Sequence, residues 1–479
     1  MTLLWMIFVP AAAGIAALAL NDAERRPWLL PLAASGHAAL VLRCWIAFPG
    51  PAANGWLSLD SLGLIVLSVA SLLFLGCSVY GIEYLRQSKE RDNRLFVACF
   101  LFMQAAASLV ALSRHMGLLW VGMEATTLAS APLINFKNDE RSLEATWKYL
   151  ILCSVGVGLA LLGTFFMALA GAVPGGGDSL LLDGLLGRGP ALSIPWLKGA
   201  FVFLLVGYGT KMGLSPLHFW KPDAYGEAPG MAGAVLSTVL TSCAFMGILR
   251  SYQVCLAAGQ ADFARSLLIL MGLLSLGTAA VFMISQRDFK RLLAYSSVEH
   301  MGILALGLGV GGAGIFAVLL HLVNNALAKG VLFLTAGNIH RTFGDKTLDH
   351  VRGALRRLPI SGGLFLLGFM AITGSPPFGP FISEFALLRA TVSGGHWSIA
   401  IAFTGLLGLI FIGMADTALS VVQGVPQESK ESALQHDSAL LVFTPCVFAV
   451  GVLALGLYLP PWLVDALSRA AEVLSGGKP

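Results

Sequence analysis

The chain has 479 residues, of which 57% are hydrophobic and only 12% charged, and its formal net charge at pH 7 is +4. Soluble domains carry about a quarter charged residues, so this composition excludes a soluble domain of any size and predicts a membrane protein throughout. The small net charge gives no indication of a nucleic-acid partner.

Fourteen apolar windows follow one another along the chain, each about long enough to cross a membrane as a helix. They cover residues 2–20, 28–48, 57–80, 95–112, 117–136, 144–170, 196–220, 231–253, 262–284, 292–309, 312–339, 360–392, 398–422 and 437–459. We therefore predict an all-α polytopic membrane protein. The connection 171–195 contains three glycines at 175–177 and is expected to be a loop, and the tail 460–479 leaves no room for a long lateral helix.

Basic residues are distributed unequally between the two sets of connections. Eighteen Lys and Arg residues lie in connections that follow odd-numbered spans, and nine lie on the other side. The positive-inside rule therefore predicts that both termini lie outside a cell (inner) membrane. The first span lacks a basic leader and is followed by charged residues, so we expect it to be retained rather than cleaved as a signal peptide.

The seven cysteines are scattered and form no Cys-x-x-Cys pair. This pattern argues against an iron–sulfur cluster, a zinc site or a disulfide framework. The sequence also lacks a dinucleotide fingerprint and a P-loop. We therefore expect no cofactor and no metal in this chain, so that any redox chemistry belongs to partner subunits.

Two of the predicted spans are interrupted by proline. The seventh holds Lys211 and breaks at Ser215-Pro216, and the twelfth breaks at residues 373–380, shortly before Glu384. Proline removes a backbone donor, and the freed carbonyls must find water or a polar partner inside the protein. Paired interruptions in corresponding positions are typical of inverted repeats that have their functional site at the breaks.

The spacing of polar residues supports such repeats, because Glu124 precedes Lys211 by 87 residues and His300 precedes Glu384 by 84. We predict two inverted five-helix repeats, with broken helices seven and twelve. The predicted units are residues 1–94 with helices one to three, 95–253 with four to eight, 254–422 with nine to thirteen, and 423–479 with the last helix and a short tail.

A short set of titratable residues lies within the spans, where a charge costs roughly 2.5–3.5 kcal/mol on insertion scales. The set is Glu124, Lys211, His300, His321, Lys329, Glu384 and Asp416. Burial disfavours the charged forms, so it raises the pKa of carboxyl groups and lowers the pKa of amines. The two pKa values approach each other, and proton exchange between the groups becomes easier. Imidazole passes protons between its two nitrogens. The set is therefore what a proton relay needs.

Several of these residues also have a purely structural interpretation. Glu124 and Lys211 could form an ion pair that only joins two helices, and His321 could be a packed histidine with satisfied nitrogens. Lys329 follows the amides Asn324-Asn325 by about one helical turn, which favours a functional role.

Four motifs then carry a resemblance to a known family. They are KMGLSPLH at 211–218, PDA at 222–224, LAYSSVEHMG at 293–302 and GSPP at 374–377. Together they resemble the antiporter-like, proton-translocating membrane subunits of respiratory complex I and group 4 hydrogenases. EATTLASAPLI at 124–134 and SLEATWKY at 142–149 are similar to hydrogenase-4 component F in particular.

The resemblance covers nearly the whole chain and implies roles for its residues. Glu124 matches the fifth-helix glutamate that pairs with the seventh-helix lysine, Lys211, and Lys329 matches the central lysine. His300 and His321 fall on polar-axis positions, and Glu384 on the acid from which protons leave. The secondary candidates are His218, Asp223, Glu299, Ser242 and Asp416.

One departure from the family concerns the eighth helix, on which relatives often carry a lysine or histidine. Residues 237–243 offer only hydroxyls and a thiol as polar side chains. We therefore expect the two halves of the path to connect there through water and hydroxyl groups.

The predicted function is proton translocation by a membrane subunit of a redox-driven complex of the hydrogenase, formate hydrogenlyase or complex I type. The expected partners are other membrane subunits, a peripheral redox arm and the lipid bilayer. Alternatives are a cation/proton antiporter subunit, a membrane partner of an inorganic-carbon uptake complex, and a haem-binding electron carrier with His300 and His321 as axial ligands.

Overall fold

The structure, a computed structural model, describes residues 1–88, 91–172, 180–425 and 437–476. These residues form twenty α-helices joined by short connections. The helices are α1 (Thr2–Ala19), α2 (Leu29–Ile46), α3 (Ser61–Gln87), α4 (Arg94–Leu112), α5 (Met116–Ile134), α6 (Glu140–Gly171), α7 (Leu182–Gly187), α8 (Ile194–Met212), α9 (Trp220–Glu227), α10 (Gly230–Val235), α11 (Thr241–Ala257), α12 (Ala261–Met283), α13 (Phe289–Val310), α14 (Ala313–Phe343), α15 (Ala354–Arg357), α16 (Pro359–Ile372), α17 (Gly379–Ser393), α18 (Trp397–Gln423), α19 (Ala439–Leu457) and α20 (Pro461–Leu474).

Twelve helical stretches among the described residues are long and apolar enough to cross a membrane. The pairs α8/α9 and α16/α17 form two further, interrupted spans. The prediction of an all-α polytopic membrane protein with about fourteen spans is thereby confirmed.

The two interruptions share one backbone plan. Gly213 ends α8 and Gly374 follows α16, both with a positive φ, 80° and 66°. A Ser-Pro sequence follows each glycine, after Leu214 in the first case and directly in the second. Glycine is the residue that adopts this left-handed conformation without strain. The matching breaks agree with the predicted inverted repeats, whose domain boundaries stay a prediction.

Backbone groups that the first interruption frees are bonded to neighbouring helices. The amide of Ser215 donates to the hydroxyl of Ser275 at 2.9 Å, and the Ser215 hydroxyl lies 2.7 Å from that of Thr278, both on α12. At the second interruption, the side-chain amide of Asn324 donates to the carbonyl of Gly379 at 2.8 Å. Irregular backbone at membrane depth is tolerated only where such partners exist.

Two helical stretches form the centre of the molecule. The stretch from α10 to α11, with a π-helical turn at Leu236–Leu240, is buried along nearly its whole length. The 31-residue helix α14 packs against α13, α16, α17 and α19. Since α14 carries His321, Asn324 and Lys329, the middle of the bundle is polar at these positions.

Two segments differ from the sequence-based expectation. The connection 171–195, expected to be a loop, contains the short helix α7 and a 3-10 turn at Gly189–Ala191, while its glycines at 175–177 lie outside the described residues. The tail forms the amphipathic helix α20, which packs against α3 and α14. Its buried residues share one face because they recur every three or four positions: Leu463, Ala466, Leu467, Ala470 and Leu474.

A buried ion-pair network joins helix ends on one side of the molecule. The carboxylate of Asp60, before α3, accepts from Arg250 of α11 at 2.6 and 2.8 Å and from Arg114 at 2.9 Å. Arg114 also bonds Asp183 of α7 at 2.5 Å. Burial alone would raise the pKa of Asp60, but the guanidinium groups of Arg250 and Arg114 hold it well below its usual range.

Candidate functional site

Lys211 is completely buried in the last turn of α8. Its ammonium donates to the carbonyl of Met123 at 2.5 Å and to the hydroxyl of Thr127, both on α5. Residues four apart lie on one face of a helix, so these two acceptors form a single polar patch on α5. Lys211 therefore points sideways into the protein rather than toward either surface.

The predicted partner of Lys211, Glu124, makes no ion pair with it among the described residues. Glu124 lies one position beyond Met123, so its side chain leaves α5 about 100° around the helix axis and is partly exposed. The Thr127 hydroxyl lies 3.4 Å from the Glu124 carboxylate. The structure thus replaces the expected direct contact with a hydroxyl that stands between the amine and the acid.

Lys329, completely buried on α14, has a similar environment in the second half of the molecule. Its ammonium donates to the hydroxyl of Ser296 at 2.8 Å and to the carbonyl of Leu293 at 3.3 Å, both on α13. Ser296 also interacts with the buried carboxyl group of Glu299. Here, too, a hydroxyl stands between an amine and an acid.

His300 and His321 form a directly bonded pair of imidazoles between α13 and α14. Nδ1 of His300 lies 2.9 Å from Nε2 of His321, and Nδ1 of His321 lies 2.9 Å from the Ser383 hydroxyl on α17. Nε2 of His300 is 4.0 Å from the carboxylate of Glu299. Because each imidazole has a nitrogen at either end, the pair provides a route from Glu299 to α17.

Glu384 lies at the far end of this route, beside the second interruption. One of its carboxylate oxygens and one nitrogen of each imidazole lie within 4.8 Å of one another. Glu384 also lines a cavity of about 310 Å³ between α17 and α18, together with Thr373 and Thr404. His and Glu are also metal-binding residue types, so the expectation of no metal stays a prediction.

Several buried polar atoms along this route have no hydrogen-bond partner among the described residues. They are Nε2 of His300, Oδ1 of Asn324, Oδ1 of Asn325 and Oε1 of Glu384. Buried polar groups in folded proteins are hydrogen-bonded, and internal water serves where protein groups do not. These atoms therefore favour a hydrated interior at this place.

We call the connected residues the buried polar chain, which has two segments. The first segment consists of Glu124, Thr127 and Lys211, and the second of Lys329, Ser296, Glu299, His300, His321, Ser383 and Glu384. All six residues of the predicted relay belong to it.

The other secondary candidates have different positions. His218 is buried at the first interruption, where its Nδ1 has no partner among the described residues. Ser242 is buried on α11. Asp223 lies near the surface, paired with Lys148 at 3.0 Å and with Arg291. Asp416 is exposed on the outward face of α18. The structure therefore does not bring Asp223 or Asp416 into the buried polar chain.

Sequence reasoning missed Lys221, which it counted among the basic residues of a surface connection. The structure buries it completely on α9, beside the first interruption. The available signal was its position between Trp220 and Pro222 in the broken span, where an aromatic residue and a proline indicate a folded-back helix rather than a loop. Removing Lys221 from the count leaves the bias of basic residues between the two sides in place.

Comparison with known proteins places this arrangement in a family. A family model described as NADH:quinone oxidoreductase/Mrp antiporter, TM, matches residues 113–409. The chain belongs to this family, as its motifs had indicated. The matched region begins before α5 and ends within α18, and so includes every residue of the buried polar chain.

Similar proteins are subunits of several membrane complexes. The hydrogenase-4 component F homolog of Methylacidiphilum infernorum is 32% identical over 429 residues, which cover 87% of this chain and 88% of the relative. The NADH-quinone oxidoreductase subunit N of Desulforudis audaxviator is 30% identical over 411 residues, which cover 83% of this chain and 80% of the relative.

Solved structures show the same fold at lower identity. A chain of the membrane-bound sulfane sulfur reductase, an archaeal respiratory membrane complex, superposes with a TM-score of 0.89 at 18% identity, covering 99% of this chain and 97% of the other. A chain of the Mrp complex from Dietzia sp. DQ12-45-1b superposes with a TM-score of 0.86 at 19% identity, and it also covers 99% of this chain and 97% of the other.

Proposed function

We propose that this chain is the proton-translocating membrane subunit of a multisubunit, redox-driven complex of the hydrogenase or NADH:quinone oxidoreductase kind. The observation that carries the proposal is the buried polar chain, in which amines, hydroxyls, imidazoles and carboxylates follow one another through the core of an apolar bundle. Ionisable groups at membrane depth are costly and mark ion pathways.

The relatives support the redox-driven complex as the setting. They include a hydrogenase-4 component F homolog, an NADH-quinone oxidoreductase subunit and, in Escherichia coli, formate hydrogenlyase subunit 3. This chain would supply the proton path, while a peripheral redox arm and other membrane subunits supply the driving reaction. Helix α6 offers a stripe of exposed apolar side chains to partners or lipid: Leu143, Trp147, Ile151, Val155, Leu162, Phe165 and Leu169.

The proposed mechanism is a switch in electrostatic contacts along the chain. A charge change in a neighbouring subunit alters the contact between Glu124, Thr127 and Lys211, and the altered proton affinity of Lys211 then shifts that of Lys329. The proton continues through the two imidazoles to Glu384. Moving one charge against 100 mV costs about 2.3 kcal/mol. A change of two pKa units in a carrier group supplies about 2.7 kcal/mol, which is enough for that step.

The orientation belongs to this proposal as well. We infer that both termini lie on the positive side of a cell inner membrane, from the two-to-one bias of basic residues toward the opposite side. An alkaline phosphatase fused after residue 476 should then be active outside the cytoplasm, and a fluorescent fusion that matures only in the cytoplasm should stay dark. An inactive phosphatase together with a fluorescent fusion would show that the C-terminus lies in the cytoplasm instead.

A second candidate function is cation/proton antiport. The Na(+)/H(+) antiporter subunit A1 of Staphylococcus haemolyticus is 28% identical over 482 residues, which cover 94% of this chain and 58% of that relative. The grouping of His300, His321 and Glu384 within 4.8 Å could also receive a small cation. The membrane partner of an inorganic-carbon uptake complex stays a prediction.

The haem alternative does not fit the geometry of the two histidines. Axial ligands approach a haem iron from opposite faces of the porphyrin. The ring nitrogens of His300 and His321 instead lie 2.9 Å apart in a direct hydrogen bond, so a porphyrin has no space between them.

The proposal is tested in inverted membrane vesicles that contain the complex with its co-purifying subunits. The complex is driven by the electron donor its redox arm accepts, with H2, formate and NADH tried in turn. We expect acidification of the vesicle interior that stops with a protonophore and does not depend on Na⁺. Strict dependence on Na⁺ would favour the antiporter, and electron transfer without any proton movement would contradict the proposal.

A further inference from the structure

The two segments of the buried polar chain leave a gap between Lys211 and Lys329. Three of the hydroxyls that the sequence offered for this connection are bonded within their own helix. Ser237 and Thr238 donate to the carbonyl of Ala234 at 3.1 and 2.6 Å, and Thr241 donates to that of Ser237 at 2.8 Å. The protons of these three hydroxyls are therefore engaged within the helix, and the connection through water and hydroxyls stays a prediction.

Lys221 lies in the region of this gap. Helix α9 folds back after the first interruption and carries the side chain of Lys221 against Gly213, where an added Cβ atom would clash with Cε of Lys221 and lie 2.7 Å from its Nζ. Gly213 is two residues beyond Lys211. The absence of a side chain at Gly213 is thus what lets the Lys221 amine approach the end of α8.

On the side of the first segment, both amines lie within electrostatic range of one side chain. It is Cys153 on α6, which is fully buried and close enough to be influenced by the charges of both Lys211 and Lys221. Electrostatic effects weaken with distance, so a side chain that both amines influence lies close to each of them. Lys211 and Lys221 are therefore neighbours around Cys153.

On the side of the second segment, adjacent residues of α13 hold the two amines. Nζ of Lys221 lies 3.5 Å from the carbonyl oxygen of Ser297, while Lys329 bonds the hydroxyl of Ser296 at 2.8 Å. The two amines are also close enough for their positive charges to repel each other. Lys221 thus has Lys211 on one side and Lys329 on the other.

We propose that Lys221 is the proton carrier that connects Lys211 with Lys329, an inference that rests on the proposed function. A proton leaves the ammonium of Lys211 and binds the free amine of Lys221, so that Lys211 becomes neutral as Lys221 becomes charged. The same exchange then moves the proton to Lys329. Like charges repel strongly in a protein interior, so the repulsion favours transfer of a single proton along the three amines.

A purely structural role for Lys221 predicts a different behaviour. If the amine only tied α9 to the carbonyl of Ser297, arginine would serve as well, because it keeps the charge and the donors. Arginine, however, does not release its proton in proteins, whereas histidine does so near neutral pH. Comparing the arginine and histidine variants therefore shows whether Lys221 carries protons or only holds α9 in place.

The test measures proton translocation in the energised vesicles described above, for complexes whose assembly is verified by co-purification of the partner subunits. We expect Lys221→Met and Lys221→Arg each to lower the initial rate of acidification at least tenfold. Lys221→His should retain about a third of the rate, with an optimum shifted to lower pH. The control Lys198→Met, on α8 but outside the buried polar chain, should leave the rate unchanged.

A wild-type rate in Lys221→Arg or Lys221→Met would overturn the inference. If the complex with Lys221→Met does not assemble, the variant Lys221→Gln is measured instead. Its amide still donates to the Ser297 carbonyl but does not take up and release a proton. An unchanged rate in Lys221→Gln would again overturn the inference. If Lys211→Ala stops translocation while Lys221→Met does not, only the role of Lys221 fails. If Lys211→Ala has no effect either, the proposed function itself fails.

Discussion

At the residue scale, the recurring unit is a hydroxyl that stands between a buried amine and a carboxylate. Thr127 holds this position between Lys211 and Glu124, and Ser296 is the hydroxyl that binds Lys329. A hydroxyl both donates and accepts, so it can pass a proton on when the charges on either side change. Sequence alone does not distinguish these hydroxyls from the many Ser and Thr residues that bond their own helix.

Replacing this hydroxyl tests the unit directly. In Thr127→Val the Lys211 ammonium loses one of its two acceptors, and an unmet buried hydrogen bond costs about 1–3 kcal/mol. Since about 1.4 kcal/mol corresponds to a tenfold change in rate, we expect proton translocation in vesicles to fall about tenfold.

Two matched variants accompany this experiment. Thr127→Ser keeps the hydroxyl and should retain most of the rate. Thr126→Val removes a neighbouring buried hydroxyl that bonds Met123 but not Lys211, and it should also retain most of the rate. Equal losses in Thr126→Val and Thr127→Val would show that only packing of α5 is affected.

The charged and imidazole residues of the buried polar chain were largely predictable, and the reason is physical. A charged or imidazole side chain stands out in an apolar run because burial there is costly. Lys221 was assigned to the wrong environment because Trp220 and Pro222 beside it indicate a folded-back helix but not how deeply that helix packs against α13. The contact between Glu124 and Lys211 was likewise wrong in detail, since it depends on how far α5 is rotated about its axis.

At the element scale, the two interrupted helices position the polar side chains. Their breaks were predicted from proline and glycine, which act locally and therefore show in the sequence. The helices α7 and α20 were missed for different reasons. Helix α7 has only six residues, too few for a period to appear. Helix α20 buries a single stripe of apolar side chains. A search for long apolar runs overlooks such a stripe, although its 3.6-residue spacing can be seen in the sequence.

Gly213 offers a test at this scale. Gly213→Ala adds a methyl group where the Lys221 side chain lies and also places alanine at a positive φ, which costs roughly 1–2 kcal/mol. Gly344→Ala, at a φ of 74° in open space, carries the same backbone cost without the contact.

We expect both glycine variants to lower the melting temperature by a similar amount. Only Gly213→Ala should also lower proton translocation, because it displaces Lys221. The comparison uses thermal unfolding in detergent together with the vesicle assay. If the two variants lose translocation equally, the loss comes from backbone strain rather than from the position of the amine.

At the scale of the whole molecule, the Asp60 network joins α3, α7, α11 and the connection between α4 and α5. Asp60→Asn would leave the buried guanidinium of Arg250 without its counter-charge. Removing one partner of a buried pair costs about 3–5 kcal/mol. We therefore expect a clear fall in the melting temperature of the detergent-purified protein at neutral pH.

The pH dependence of this network follows from the lowered pKa of Asp60. A depressed carboxyl pKa contributes stability that is fully present above the unfolded value, about 3.9, and is lost as the pH falls through the folded value. The difference between wild type and Asp60→Asn should therefore stay constant at neutral pH and shrink in acid. Asp183→Asn is the control, because its side chain is 57% exposed and should cost below about 1 kcal/mol.

The buried polar chain also gives the whole molecule its function in this account, and Lys211 is its most informative member. The decisive measurement is the number of protons moved per electron by vesicles that contain the assembled complex with Lys211→Ala, compared with Lys198→Ala on the same helix. We predict that Lys198→Ala keeps the wild-type ratio and that Lys211→Ala lowers it. An unchanged ratio in Lys211→Ala, with the complex intact, would contradict proton transfer through the core of this chain.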